Sequence, residues 1–271
     1  PRRKSVGAAP RGLPADIEAF LLDAIEAGPA GECANILAAL KPVKESVTRQ
    51  LMERAAAQQD PAARMRLAST LLQLGEAQAA AEMLQLGPDP TARTAFIHGF
   101  DSWHDELSRL PAVLESTLQR ASSGEDPDTL KRELQRKSAV RSGVCAAVGL
   151  IPRESIDAEQ RQALLDVLLK LSREAPDGAT HSAAGWALRQ WKIELPPGAF
   201  VVPALAGSSS PPPAEAGTTN HGWFVNGHGM TMIQIPPGSF TMGDNQDQNN
   251  KPHQVTLTRG FFMADREVRR D

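Results

Sequence analysis

One break in composition governs what this chain can fold into. Residues 195–220, LPPGAFVVPALAGSSSPPPAEAGTTN, are dominated by Pro, Gly, Ser, Ala and Thr. Such a stretch cannot bury a core and reads as a linker, stiffened locally where Pro211, Pro212 and Pro213 favour polyproline II. Before it, apolar residues recur at intervals of three and four. After it, they alternate. The expected organisation is therefore a lead-in over 1–14, disordered because it is rich in Pro, Gly and Arg; a helical unit over 15–194; the linker; and a strand-bearing segment over 221–271.

The helical part reads as short amphipathic pieces. Ile17, Phe20, Leu21, Ala24 and Ile25 form one stripe, ended by Gly28-Pro29. Ile36, Leu37, Leu40, Val43, Val47, Leu51 and Met52 form the next, with Pro42 placed to divide it. A phrase then recurs. Asp60-Pro61-Ala62-Ala63-Arg64 opens a helix carrying Leu67, Leu71 and Leu74. Asp89-Pro90-Thr91-Ala92-Arg93 opens another carrying Phe96, Ile97 and Phe100. Asp is suited to cap free amides, Pro to the first helical position, and Arg to an exposed face. Ser138-Ala139-Val140-Arg141 is expected to start a third helix and Asp177-Gly178-Ala179-Thr180-His181 a fourth, with a partner helix over Gln162–Leu171 between them. Short helices of uneven period predict a mainly α fold of stacked helix pairs, an α-solenoid. The phrase resembles the second helix of HEAT-type repeats. Residues 67–84, LASTLLQLGEAQAAAEML, resemble a tetratricopeptide repeat, but that pattern does not recur.

Composition excludes several roles. With 29 Lys and Arg against 32 Asp and Glu, the formal net charge of −3 gives no general pull toward nucleic acid or anionic lipid. The basic run Pro1-Arg2-Arg3-Lys4 reads as a solvated tail. No apolar run approaches the ~18–20 residues of a membrane span, so the chain as given is expected to be soluble. It opens without Met and is expected to begin mid-protein, with an upstream anchor left open. Cys33 and Cys145 lie far apart in helical patterns without a CxxC pair, and read as small buried thiols.

From Trp223 the period becomes that of strands. Met230, Met232, Ile233 and Ile235 precede the turn Pro236-Pro237-Gly238; Ser239–Gly243 is a second extended piece; Gln254–Thr258 alternates as a half-buried strand; Phe261, Phe262 and Met263 follow. The runs MIQIPPGSFTMGD and KPHQVTLTRGFFMADREV resemble the entry to the formylglycine-generating-enzyme family, the sulfatase-modifying-factor domain. The matching residues are Pro237-Gly238, Phe240, Met242-Gly243, Pro252, His253, Val255, Leu257, Phe261 or Phe262, and Glu267-Val268. The likeness covers residues 223–268, under a fifth of the chain. With HSAAGWALRQW (181–191) and WFVNGHGMTM (223–232), it extends to multidomain bacterial proteins of the planctomycete type. There a serine/threonine kinase precedes a helical region and such a domain.

The resemblance implies a truncated α+β domain and a parent that oxidises a protein cysteine to formylglycine, or a non-catalytic or kinase-linked relative. The family's working cysteines, and its copper and calcium ligands, are expected downstream of Asp271. Hence no catalytic, cofactor-binding or metal residue is assigned here, and copper and calcium belong to the missing remainder. No glycine-rich loop, HRD or DFG marks a kinase. The alternative reading is a helical-repeat scaffold of a receptor-like kinase that binds a protein partner on its concave surface.

Other constellations have plainer readings. His98 and His104 flank Trp103 at a spacing that does not share a helix face. His221 and His228 lie in glycine-rich loop sequence without acidic or Cys partners, and His253 suits a strand entry. Asp244, Asn245, Asp247 and Asn249 have the composition of a calcium loop but lack its glycine and closing Glu. Trp186 and Trp191 read as core at the end of the helical unit. Limited proteolysis is expected to cut within 195–220 and leave a resistant helical fragment; uniform resistance through that stretch would contradict the two-part layout.

Overall fold

A computed structural model describes residues 13–28, 31–87, 89–105, 107–118, 126–175, 177–195, 223–225, 230–243, 245 and 250–265. The lead-in over 1–12, the linker from 196 to 220 and Glu267-Val268 lie outside the described residues. The described fold is mainly helical, with a few short antiparallel strands at its C-terminal end.

The helices are α1 (Ala15–Ala27), α2 (Cys33–Leu40), α3 (Lys44–Ala57), α4 (Pro61–Gln73), α5 (Gln78–Met83), α6 (Thr91–Gly99), α7 (Leu110–Ser116), α8 (Pro127–Leu150), α9 (Ala158–Glu174) and α10 (Gly178–Gln190). Local chemistry sets several of the starts. Asp60 accepts from the amides of Ala62 and Ala63, Asp157 from Glu159 and Gln160, and Asp177 from Thr180. Pro42 does divide α2 from α3, through a 3₁₀ turn at Lys41–Val43. Gly28 ends α1 with a left-handed φ of 64°.

Packing runs in series. α1 touches α4, α4 touches α6, α6 touches α8 and α8 touches α10, while α3 lies on α4 and α5, and α9 on α7 and α10. One continuous apolar core extends from Leu21 to Trp191. α4 sits deepest. Ser69, Thr70 and Gln73 are buried on it, and they are satisfied by one turn of chain: Ser69 Oγ donates to the Trp103 carbonyl at 2.7 Å, Trp103 Nε1 donates to Thr70 Oγ1 at 3.1 Å, and the Asp105 amide donates to Gln73 Oε1 at 2.8 Å. α8 and α10 approach closely at Gly149, where a Cβ would lie 2.8 Å from the Ala187 backbone.

Three sequence expectations are corrected. Ser138 does not start a helix: α8 begins at Pro127, where Asp126 accepts from the Thr129 amide. Its first turns are largely solvated and carry no apolar stripe, so periodicity becomes visible only where burial begins, at Ala139. The stripe of α1 is carried by Leu21, Leu22 and Ile25, leaving Ile17 and Phe20 exposed at 43% and 69%. The arginines of the recurring phrase do not share an exposed face. Arg64 is near the surface, 3.7 Å from Glu82, but Arg93 and Arg141 turn inward.

The inward arginines have a common task. Arg66 on α4 donates to the carbonyls of Ile25 (2.8 Å) and Glu26 at the end of α1. Arg93 on α6 donates to Leu84 O at the end of α5 at 2.6 Å. Arg141 on α8 donates to Thr117 O at the end of α7 at 2.7 Å. The last carbonyls of a helix have no intrahelical donor, and a guanidinium satisfies them while complementing the helix dipole. Arg141, only 3% exposed, also pairs with Asp177 at 2.7 Å. Burial alone would raise the Asp177 carboxyl, but hydrogen bonds from Ser138, Arg141 and Thr180 hold it below its ordinary value.

The strands are β1 (Trp223–Val225), β2 (Thr231–Ile235), β3 (Gly238–Met242), β4 (His253–Leu257) and β5 (Phe261–Ala264). β2 is central, antiparallel to β1 and β5, with Ile233 opposite both Trp223 and Met263. β3 and β4 form a separate hairpin in which Phe240 faces Val255. β4 is half-buried through Val255 and Leu257, and its side-chain alternation is that of a one-face strand.

Removing one member of the Arg141–Asp177 pair should strand a buried charge. Arg141→Ala is expected to cost about 3 kcal/mol, and the double variant Arg141→Leu with Asp177→Asn to cost less than the sum of the single changes. Urea unfolding followed by circular dichroism checks this; additive losses would show that the pair is not coupled.

Candidate functional site

The three-stranded sheet packs against α10, and polar, aromatic and apolar side chains meet in the seam between them. Asp177 fixes the seam's position, because it caps α10 and is itself held by Ser138 and Arg141. The first turn of α10 then presents Gly178, His181 and Ser182 to the sheet. At Gly178 a Cβ would lie 2.6 Å from Ile233 Cδ1 and 2.9 Å from Trp223 Cγ, so the helix can approach this closely only without a side chain. The His181 ring packs on Trp223 with centroids 4.5 Å apart. Ser182 Oγ donates to Asp265 Oδ2, and the Asp265 amide donates to Thr231 O at 3.0 Å. Thr231 is buried in this seam.

His181 Nδ1 and Trp223 Nε1 are both buried and have no hydrogen-bond partner among the described residues. Burial lowers the pKa of His181; a hydrogen bond to the Ser172 backbone and the charge of Asp265 oppose that, and Arg189 adds to it. The imidazole is therefore held neutral against the indole.

Beside the seam opens a cleft of about 450 Å³ whose walls include Arg93, Ser142, Trp223, Ile233, Asp265 and Leu86. Both sides of the break in composition contribute. Sequence reading assigned no role to His181, Ser182 or Asp265, and put Arg93 on an outer face. Their one signal was indirect: Asp177-Gly178-Ala179-Thr180-His181 was legible as a helix start, but what faces that start was not.

The residues singled out from sequence do not assemble. Cys33 on α2 and Cys145 on α8 are free, buried thiols, each pushed up to about 12, mainly by burial. Copper is held by accessible thiolates, so neither cysteine fits that metal. Among the described residues no cluster of three His, Cys, Asp or Glu side chains could hold a metal ion. His98 is exposed on α6; His104 lies in the following turn, its Nδ1 3.2 Å from Phe100 O. His253 opens β4 with Nδ1 2.9 Å from Lys251 O. Trp191 is buried and donates to Ile151 O at 3.1 Å, and Trp186 packs over Gly149. His221, His228, Asp244, Asp247 and Asn249 lie outside the described residues. Among the described residues no helix is long and apolar enough to cross a membrane.

With this geometry in hand, comparison with known proteins returned no match to a family model, a curated protein or a solved structure.

The neutral imidazole gives the seam a pH dependence with a definite sign. The docked state lowers the pKa of His181, so docking is favoured above the ordinary value near 6.5 and weakens as pH falls from there through the lowered value. Tryptophan fluorescence should report exposure of Trp223 over that window, and His181→Phe should abolish that step. An unchanged profile in the variant would assign the titration elsewhere.

Proposed function

We propose that the chain is the scaffold-and-entry portion of a bacterial multidomain protein. In this reading stacked HEAT-like helix pairs over 15–194 carry and position a sulfatase-modifying-factor-like domain that opens at Trp223. The observation that carries it is the seating of the central sheet on α10, the last helix. A helical unit that merely spaced two domains would not need a glycine at the contact, nor a serine bonded to a sheet carboxylate. The serial contacts α1, α4, α6, α8, α10 support a solenoid, since each helix leans on its neighbours in the row.

Two further observations support the entry-strand reading. Phe240, Met242, Phe261 and Met263 leave about half of their surface exposed, which is how strands look when another layer is meant to cover them. Both cysteines belong to the helical core, so oxidation of a protein cysteine to formylglycine, if the parent performs it, uses thiols outside 1–271. The present chain is then non-catalytic, and copper and calcium sites fall with the rest of the domain.

A second reading is favoured by one feature. Ile17 and Phe20 stand exposed on α1, at the end of the row away from the sheet, and suit a protein partner on the helical unit. This is the interaction scaffold of a receptor-like kinase, and it is compatible with the first.

Two measurements test the proposal. Incubating the chain with copper, oxygen and a cysteine-containing sulfatase peptide is expected to leave the peptide mass unchanged; a loss matching formylglycine would refute the non-catalytic reading. Gly178→Val is expected to release the sheet while α1–α10 keep their helical spectrum, seen as faster amide exchange in β2 and β5. Unaltered exchange there would remove the observation on which the scaffold reading stands.

A further inference from the structure

We propose that the chain associates head to tail, the exposed stripe of α1 in one copy seating on the basic first turns of α8 in the next. The choice of α1 as a contact rests on the second reading above; the occupant, a second copy of this chain, does not.

α1 carries two apolar stripes. Leu21, Leu22 and Ile25 are buried against the helical core. Ile17, Phe20, Ala24 and Ala27, spaced three, four and three apart, share another face, on which Ile17 and Phe20 stand exposed. Charge narrows what can cover that face. The helix holds Asp16, Glu18, Asp23 and Glu26 and no base. Arg54 pairs with both Asp23 and Glu26 at 2.7 Å, one cation for two carboxylates. Glu18 accepts from the neutral Ser46 and Gln50, and Asp16 meets no base among the described residues. Seating α1 on another α1 would set like charge against like charge, which costs affinity. A complementary occupant is basic beside an exposed apolar side chain.

The first turns of α8 have that character. They hold Lys131, Arg132, Arg136 and Lys137 against Asp128 and Glu133. Glu133 is paired with Lys137 at 2.6 Å, and Arg132 donates to the neutral Asp128 O and Thr129 Oγ1. Lys131, Arg132 and Arg136 meet no carboxylate among the described residues. Leu134 is 50% exposed among these bases, with Leu130 one turn before it. Both patches are exposed in the same copy, so neither covers the other. A contact between two different patches is heterologous and can repeat from copy to copy. Two short helix faces bury less than the ~1,200 Å² of a stable complex, so the association is weak and depends on concentration.

The test is sedimentation velocity of the full chain at concentrations up to about 1 mM, the range of weak association. The unmodified chain is expected to self-associate, and several-fold more weakly as salt rises from about 0.05 to about 0.5 M, because exposed charges are then screened. Phe20→Ser and Leu134→Ser should each weaken association about tenfold or more, the loss typical of a central apolar contact. Both side chains are exposed, so both variants keep the fold. Mixed together they restore one intact contact, Phe20→Ser offering α8 and Leu134→Ser offering α1, and should stop at a one-to-one pair. A monomer at every concentration overturns the second copy as occupant but leaves a different protein on α1, so this inference and the reading it rests on fail separately. Association that salt leaves unchanged, or that survives Phe20→Ser, as it would if the exposed strand face carried it, overturns the proposal. So does loss in Phe20→Ser alone, which would pair α1 with α1, or a mixture that stays monomeric.

Discussion

Stacking short helices creates a recurring problem: each one ends in carbonyls that have no donor, and in a stack many of those ends face protein and not water. This chain answers with guanidinium groups. Arg66, Arg93 and Arg141 each reach from one helix to the last carbonyls of another, at the ends of α1, α5 and α7. A long donor side chain does what a local glycine cap would do, and in doing so ties one helix to the end of another. The apolar core supplies most of the driving force, but it is non-directional. These donors, with their fixed planar geometry, set which helix end meets which.

Arg141 carries the effect furthest. Through Asp177 it joins the end of α7, the middle of α8 and the start of α10 in one hydrogen-bonded group. The carboxylate that caps α10 is therefore placed by the core of the helical unit, and the first turn it caps is the one that meets the sheet. Gly178, His181 and Ser182 are presented from a turn whose orientation is not free to drift. Arg93, which like Arg66 meets no carboxylate among the described residues, lines the cleft beside the sheet.

Elements with a local cause were legible from sequence. The helices begun by Asp60 and Asp177 announce themselves through caps, the division at Pro42 through its ring, and the strands at 231–235 and 253–257 through alternation. Elements whose cause lies across the chain were not. The first turns of α8 are solvated, so nothing periodic marked them, although Asp126-Pro127 is the same start signal as Asp60-Pro61. The inward turn of Arg93 and Arg141 depends on the ends of α5 and α7, which sequence spacing does not reveal. Ile17 and Phe20 obey helical spacing yet stay exposed, because periodicity fixes a face but not what lies against it. The candidate site fared worst, since its walls come from segments that meet only in the fold.

The order of pairing in the strand region has a consequence for how such a chain can change. β2 and β5 are neighbours in the sheet, yet β3 and β4 intervene in sequence, leaving after Ile235 and returning at Phe261, its cross-strand partner. Among the described residues the strands of the intervening hairpin pair only with each other. Its two ends are held side by side by the sheet, so its length is not fixed by anything α10 touches, and lengthening a loop whose ends are already together costs little entropy. The hairpin is thus a graft point: residues can be added or lost there over generations while the seam on the helical unit keeps its registration.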